Sequence, residues 1–349
     1  MTLLNGRVMS MDPTVSVIVP VYNGGACFRR CLESLFATNP RPLEIIVVAN
    51  GDSDGSASLA EQFGARVIHL PNPVGPAVAR NMGVKIANGD ILFFVDADVT
   101  IPVDTIARIA GSFSQVLEPS AVIGSYDDAP GAPNFLSQYK NLLHHYVHQT
   151  SDEKASTFWG ACGAIRRHVF LAIGGFDCRY RWPSIEDIEL GYRLTRAGFH
   201  IRLDKDLQVK HLKRWEWYSL LKADFWYRAV PWTELILRDG HFVNDLNLRV
   251  NQRLSVFLLY GVCGTVAAAL LFPVFLAFGI VMLGGLLFIN APLYRFLYAK
   301  RGLLFALQSI PWHWLYFFYS GVAFGVGICR YFLEKRALLQ MKRSKPVGD

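Results

Sequence analysis

Two stretches of this 349-residue chain contain no Asp, Glu, Lys or Arg: 41 residues from Leu254 to Tyr294 and 28 from Gly302 to Cys329. Runs so long and so free of charge limit the fold more than any other feature of the sequence. A membrane-crossing helix needs about 20 apolar residues. The first stretch therefore suits two spans, with a break at Pro273 or at the glycines near 284. The second suits a third span. It also suits a re-entrant or surface-lying segment, because Pro311-Trp-His-Trp-Leu-Tyr-Phe-Phe-Tyr319 has the mixed aromatic and polar character of an interface. Two and three spans both stand at this point. Before residue 250 charges are frequent and apolar runs short, so a soluble part of about 210 to 250 residues precedes the tail.

The formal net charge is +7 and the mean hydropathy +0.25, with 52% hydrophobic residues. The basic excess gathers beside the apolar stretches, at Arg249, Arg253, Arg295, Lys300, Arg301, Arg330, Lys335, Arg336, Lys342, Arg343 and Lys345. That placement fits anionic lipid headgroups and argues against nucleic acid as a partner. Basic flanks at both ends of the first stretch predict a hairpin with both ends cytoplasmic. The expected location is thus the cytoplasmic (inner) membrane, multi-pass, with the soluble part in the cytoplasm. Met1 to Pro13 lacks a basic start followed by an apolar core, so no signal peptide is expected. Six cysteines are scattered without paired C-x-x-C spacing, which predicts free thiols and no zinc site.

Within the soluble part, Val15–Val19, Glu44–Val48, Arg66–Leu70 and Ile91–Val95 read as buried strands, the first broken by Pro20. Helical patterns separate them, which predicts an α/β fold with a parallel sheet. The fourth strand runs into Asp96-Ala-Asp98. Strand residues two apart point to the same face, so both carboxylates are expected to project together from the carboxyl end of a central strand, where open α/β sheets bind ligands. Paired carboxylates suit a hard divalent cation, and such a cation suits a diphosphate. The plainer reading is a turn or helix-cap pair leading into a helix near Pro102 that runs to about Leu117.

Taken in order, Pro20-Val-Tyr-Asn23, Asn50-Gly-Asp-Ser-Asp-Gly55, Ala79-Arg-Asn-Met-Gly83 and Gly89-Asp-Ile-Leu-Phe-Phe-Val-Asp-Ala-Asp98 resemble the successive motifs of family 2 glycosyltransferases. The resemblance covers residues 14 to 215 and implies the GT-A nucleotide-diphospho-sugar-binding fold, which is Rossmann-like. It implies a donor pocket built from Pro20, Tyr22, Asn23 and Asn50, with Arg80 near the base or diphosphate. It further implies Asp96 on the ribose or the metal, and Asp98 on Mg²⁺ or Mn²⁺. One departure stands out: the second motif commonly begins Asp-Asp or Asp-Asn, whereas here Ala49 precedes Asn50. Asn50 keeps a donor and an acceptor for a nucleobase edge. Ordinary turn chemistry is the other reading of Asn50 and Asp54.

Further along, Phe158-Trp-Gly-Ala-Cys-Gly-Ala-Ile-Arg-Arg167 is rich in small residues, as where backbone approaches a ligand closely. Ser184-Ile-Glu-Asp-Ile-Glu-Leu-Gly-Tyr-Arg193 resembles the acceptor-side signature of the same family. By that resemblance Asp187 is the catalytic base, and Gly160, Cys162 and Glu186 lie on the acceptor side. A carboxylate at a helix start is favoured in its ionised form by the helix dipole, which suits a base; the plainer reading is a pair of helix-start acids. His211 is either a metal ligand beside Asp98, as in several relatives, or a structural histidine. His144, His145 and His148 read as polar residues on a partly exposed helix. Processive synthases carry Gln-x-x-Arg-Trp, but Gln208 lies six residues before Arg214-Trp215, which argues against a polymerising enzyme.

The expected organisation is a GT-A domain at 14–213, interfacial amphipathic helices at 214–252, membrane segments at 253–330 and a basic cytoplasmic tail at 331–349. The expected activity is inverting, metal-dependent transfer from a nucleotide-diphosphate sugar to a lipid-linked or other membrane-associated acceptor. A sugar nucleotidyltransferase is disfavoured, because Tyr22-Asn-Gly-Gly-Ala26 is not a Gly-rich basic loop. A processive polysaccharide synthase and a non-catalytic membrane scaffold remain as alternatives.

Overall fold

Val15–Val21 (β1) shows in one strand how this sheet is built. Val15, Val17, Val19 and Val21 enter one apolar core, while Ile18 enters another on the opposite face. Ile91–Val95 (β4) does the same, with Ile91, Phe93 and Val95 on one side and Leu92 and Phe94 on the other. Continuous apolar runs are what a sheet covered on both faces requires. The computed structural model describes residues 12–114, 119–240 and 248–343, backbone alone beyond 337, together with a short ladder between Leu3–Leu4 and Arg7–Val8. The signal-peptide reading of Met1–Pro13, the helix end near Leu117 and the last residues of the basic tail fall largely outside these. The chain divides into two units, Met1–Arg214 and Trp215–Asp349.

In the first unit the elements run β1, α1 (Gly25–Phe36), β2 (Glu44–Asn50), α2 (Ser56–Phe63), β3 (Arg66–Leu70), α3 (Pro76–Ile86), β4, β5 (Val99–Thr100), α4 (Thr105–Phe113), β6 (Ala121–Tyr126) and α5 (Phe135–Thr150). Then come β7 (Lys154–Ala155), β8 (Cys162–Arg166), α6 (Arg167–Ala172), α7 (Glu186–Arg196) and β9 (Ile201–His211). The sheet order is β3-β2-β1-β4-β8-β6-β9-β5, with β7 also on β9. β3, β2, β1 and β4 are mutually parallel. β8 runs antiparallel to both β4 and β6, and β6 and β9 are parallel to each other. The expected parallel sheet is therefore the first half of a mixed one.

Pro20 does not break β1. The pairing with β4 covers only Val15 to Ile18, while the pairing with β2 continues to Val21. Pro20 thus sits where one side of the strand has no partner, the position a residue without an N–H tolerates. Residues of α1, α2 and α4 pack in the core on one face of the sheet, and residues of α3, α6 and α7 in the core on the other.

The second unit contains α8 (Trp217–Lys222), a π-helical stretch (Ala223–Ala229), α9 (Val230–Asp239), α10 (Val250–Ala269), α11 (Phe275–Arg301) and α12 (Leu303–Arg343). Three of these, α10, α11 and α12, are long and apolar enough to cross a membrane. Large apolar side chains such as Leu270, Leu271 and Phe288 are more than three-quarters exposed, as lipid-facing residues are. Buried polar groups between the helices pair with one another. Asn290 donates to Ser255 Oγ at 2.9 Å, and Tyr294 Oη lies 3.2 Å from His313 Nδ1.

Candidate active site

The carboxyl ends of β1, β2, β3 and β4 open on one edge of the sheet, and β8 starts there, because Cys162 pairs with Val95. The loops at this edge are tied by polar side chains. Asn23 adopts φ 50, the left-handed region, and its Oδ1 accepts the Ser53 N–H at 2.8 Å. Asp54 accepts the Ser56 N–H at 3.0 Å and the Gly25 N–H at 2.9 Å. Burial would raise the Asp54 pKa, yet the bonds from Ser56 and Gly25 hold it below the usual carboxylate range. Asn50 is buried, and its Oδ1 accepts the Val74 N–H at 2.8 Å. Asp54 thus makes an ordinary turn contact with Ser56, whereas Asn50 ties the end of β2 to the loop after β3. Tyr22 projects from the same edge and is 57% exposed, while Pro20 is half-buried.

Asp96 and Asp98 do not face the same way. β4 ends at Val95, and the Val99 N–H bonds to the Asp96 carbonyl at 3.1 Å, so the pair occupies a turn between β4 and β5. Strand alternation no longer governs residues in a turn. The expected helix cap is also absent, since β5 separates Asp98 from α4. The two carboxylates meet different partners.

Asp96 Oδ1 accepts from Arg80 Nη2 at 2.7 Å, and Glu186 Oε1 accepts from Arg80 Nη1 at 2.8 Å. The Arg80 side chain is only 5% exposed, and its guanidinium carbon stands 5.4 Å from the Phe176 ring centre. Burial works against its charge, but Asp96 and Glu186 outweigh that and push its pKa up. Gly160 lies against this group: a Cβ there would stand 3.1 Å from the guanidinium carbon. The arginine therefore joins the end of β4 to the start of α7. Its two terminal nitrogens are engaged by protein carboxylates.

Glu186 Oε2 accepts the Ser184 N–H at 3.0 Å, which fixes the turn into α7. The next residue, Asp187, accepts the Gly160 N–H on Oδ2 at 3.0 Å and the Ile188 N–H on Oδ1 at 2.8 Å. Gly75, at the start of α3, has φ 90, and a Cβ there would fall 2.3 Å from the Arg181 carbonyl oxygen. Only glycine fits, so the loop before α3 and the loop before α7 lie in direct contact. Cys162 is fully buried in the sheet core, and burial pushes its thiol pKa up. It lines no surface of the crevice.

Asp98 meets His211. β9 ends there, His211 pairs with Val99, and the Leu212 N–H bonds to the Asp98 carbonyl at 2.8 Å. Asp98 Oδ2 stands 3.7 Å from His211 Nε2. Burial would raise the Asp98 pKa, but His211 and then Lys213 hold it below the usual carboxylate range. Among the described residues no three His, Cys, Asp or Glu groups converge on one point. One carboxylate oxygen and one imidazole nitrogen would leave a divalent cation further positions for phosphate oxygens and water.

The sequence reading missed what holds His211. Its ring stacks on Tyr126, with centres 4.4 Å apart and planes 12° apart. Tyr126 in turn contacts Trp159 and His144. His145 and His148 are buried and lie within hydrogen-bond reach of the Tyr126 and Gly124 carbonyls, at 2.7 and 3.0 Å. They tie α5 to β6 and are not the partly exposed residues expected. The period-3.6 pattern of α5 carried that signal, because His145 and His148 fall on the same face as Leu142.

Residues 16–174 match the family model described as "Glycosyl transferase family 2". Among curated proteins, 96 residues are 40% identical to the uncharacterized glycosyltransferase YibD of Escherichia coli, covering 26% of this chain and 28% of that protein. The pre-mycofactocin glycosyltransferase of Mycobacterium tuberculosis is 29% identical over 216 residues, covering 56% of this chain and 42% of that protein. The chain thus spans less than half the length of these relatives. Among solved structures, the mannosyltransferase PcManGT of Pyrobaculum calidifontis, in complex with GDP-Man and Mn²⁺, superposes with a TM-score of 0.57 at 18% identity. It covers 90% of this chain and 87% of its own. That likeness is one of fold. Residues 16–174 thus resemble a family 2 glycosyltransferase domain, and the sheet has the GT-A fold.

Proposed function

We propose that the protein transfers a sugar, with inversion, from a nucleotide-diphosphate sugar to a lipid-linked or other membrane-associated acceptor, at the cytoplasmic face of a membrane. The observation that carries this reading is the Arg80 bridge. One buried guanidinium holds Asp96 at the donor edge and Glu186 at the start of α7, so Asp187 is fixed next to the donor edge. The loops after β1, β2 and β3 form the nucleotide pocket, with Tyr22 as its exposed ring. Asp96 retains exposure on its side chain, 34%, and takes the ribose.

Asp98 and His211 would hold Mg²⁺ or Mn²⁺ with the donor. That cation, when bound, stabilises the negative charge that develops on the departing diphosphate. The complex of PcManGT with GDP-Man and Mn²⁺ supports this donor and cofactor class for the fold. Asp187 takes the acceptor hydroxyl proton as the hydroxyl oxygen bonds to the anomeric carbon and the bond from that carbon to the diphosphate oxygen breaks. Its bonds from the Gly160 and Ile188 N–H groups keep the carboxylate aimed. Direct displacement inverts the centre, so no protein carboxylate has to attack the sugar.

The apolar helices and their basic flanks point to an acceptor that is itself in or on the bilayer. A panel of nucleotide sugars, assayed with Mn²⁺ and a membrane extract, tests the reading. Release of nucleotide with one donor, lost in Asp187→Asn, is the expected result. No turnover with any donor, or turnover unchanged by that substitution, would sink it.

A further inference from the structure

Composition and length make α12 a candidate span, but its neighbours are those of a surface helix. From Trp217 to Asp239, the stretch containing α8 and α9 carries six charges: Lys222, Asp224, Arg228, Glu234, Arg238 and Asp239. A helix with that many charges does not lie in hydrocarbon. α12 runs beside it, in the same direction, over most of its length. Tyr319 Oη donates to Asp224 Oδ2 at 2.8 Å. Gly327 lies against Thr233, where a Cβ would stand 2.6 Å from the threonine Cβ, and Arg330 Nε pairs with Glu234 Oε1 at 3.0 Å. The part of α12 from Tyr319 to Arg330 is therefore held at the level of a charged helix.

Only Leu303 to Phe318 remains for the membrane. Sixteen residues rise about 24 Å, short of the roughly 30 Å hydrocarbon core. The contacts of α12 with the α10–α11 hairpin also stay shallow. His313 meets Tyr294, one residue inside Arg295. Phe317 packs with Leu259 and Leu286, and Tyr260 meets both Phe318 and Gly321. Leu259 and Leu286 are six and nine residues from Arg253 and Arg295, about 9 to 14 Å by helical rise.

From these contacts we infer that α12 does not cross the bilayer. With α8 and α9 it lies along the anionic surface of the membrane, on the side where residues 12–239 reside, and the chain crosses only twice, by α10 and α11. The charge pattern agrees. In this arrangement Arg249, Arg253, Arg295, Lys300, Arg301, Arg330, Lys335 and Arg336 all meet one leaflet, whereas a third crossing would carry the last three to the far side, against the positive-inside bias. The uncharged turn Leu270–Val274 is then the part of the hairpin that faces the far side. The platform places basic and aromatic residues at the headgroup level.

The test uses the full chain in sealed membrane vesicles of both orientations, with a protease-cleavable tag before Met1 or after Asp349. Both tags are expected to be lost in the same vesicle population and protected in the other. Loss of the two tags in opposite populations would overturn the inference. Phe332→Cys, in a chain whose native cysteines are serine, gives a tag-free second reading: an impermeant maleimide should label it from the side that removes the amino-terminal tag, and labelling from the other side alone would also overturn it. Neither readout depends on sugar transfer, so failure here and failure of the transferase reading are told apart.

Discussion

The two halves of the sheet handle their polar residues differently. In the parallel half, β3-β2-β1-β4, carboxylates and amides at strand ends tie neighbouring loops of that half to one another: Asn23 caps Ser53, Asn50 holds Val74, and Asp54 joins Ser56 to Gly25. In the mixed half, β8-β6-β9-β5, the polar residues reach across to the first. Glu186 meets Arg80 and His211 meets Asp98, while Asp187, next to Glu186, accepts from Gly160 just ahead of β8. In the proposed function, the parallel half shapes the donor pocket and the mixed half brings to it the groups that do chemistry. The antiparallel strand β8 makes this possible, because its start lies at the carboxyl edge of β4.

The largest expected effect breaks the mixed half alone. Asp187→Asn keeps the shape but removes the base, and general-base catalysis contributes roughly 10²- to 10⁴-fold. Turnover should fall by that factor while donor affinity, read by calorimetry, stays within about twofold. Next comes the bridge between the halves. Arg80→Met leaves Glu186, with a side chain 6% exposed, buried without its cation. Breaking a buried pair costs about 3–5 kcal/mol, and a large drop in thermal midpoint in detergent is expected. Arg80→Lys keeps the charge but loses the two-pronged geometry, so it should fall between the two.

A smaller effect probes the cation end. Tyr126→Leu removes the ring that orients His211, and loss of such an outer support costs roughly 10-fold or more in metal affinity. The Mn²⁺ concentration for half-maximal activity should rise, with turnover at saturating Mn²⁺ little changed. The smallest effect lies in the parallel half. Asp90 accepts the Thr14 side-chain and backbone donors at 2.7 and 2.9 Å, and these bonds hold its pKa below the usual carboxylate value. A depressed folded pKa adds stability above the unfolded value and loses it as pH falls through the folded one. Asp90→Asn should therefore flatten the acid limb of the stability profile and leave neutral pH little altered.

Legibility followed the same division. The four parallel strands announce themselves as continuous apolar runs, and all four were placed within a few residues. The DxD pair was found but its geometry was not, because the alternation rule was carried past Val95 into a turn. β8 is the opposite case: Cys162-Gly-Ala-Ile-Arg166 has neither a long apolar run nor clear alternation, and only its neighbours make it a strand. The roles of Arg80 and Tyr126 depend on contacts across 106 residues and 85 residues of chain, to Glu186 and His211. No local pattern encodes such pairings. In the tail, length and composition gave three eligible helices, and the charged flank of α9 argues that α12 belongs to the surface.

One paired measurement reaches the central division of labour most directly: calorimetric donor binding with Mn²⁺, alongside turnover, for Asp98→Asn and Asp187→Asn. The Asp98 variant should lose the Mn²⁺-dependent part of donor binding. The Asp187 variant should bind donor as the parent does and fail to transfer sugar. Equal loss of binding in both variants, or undiminished transfer by the Asp187 variant, would contradict the assignment of pocket to one half and chemistry to the other.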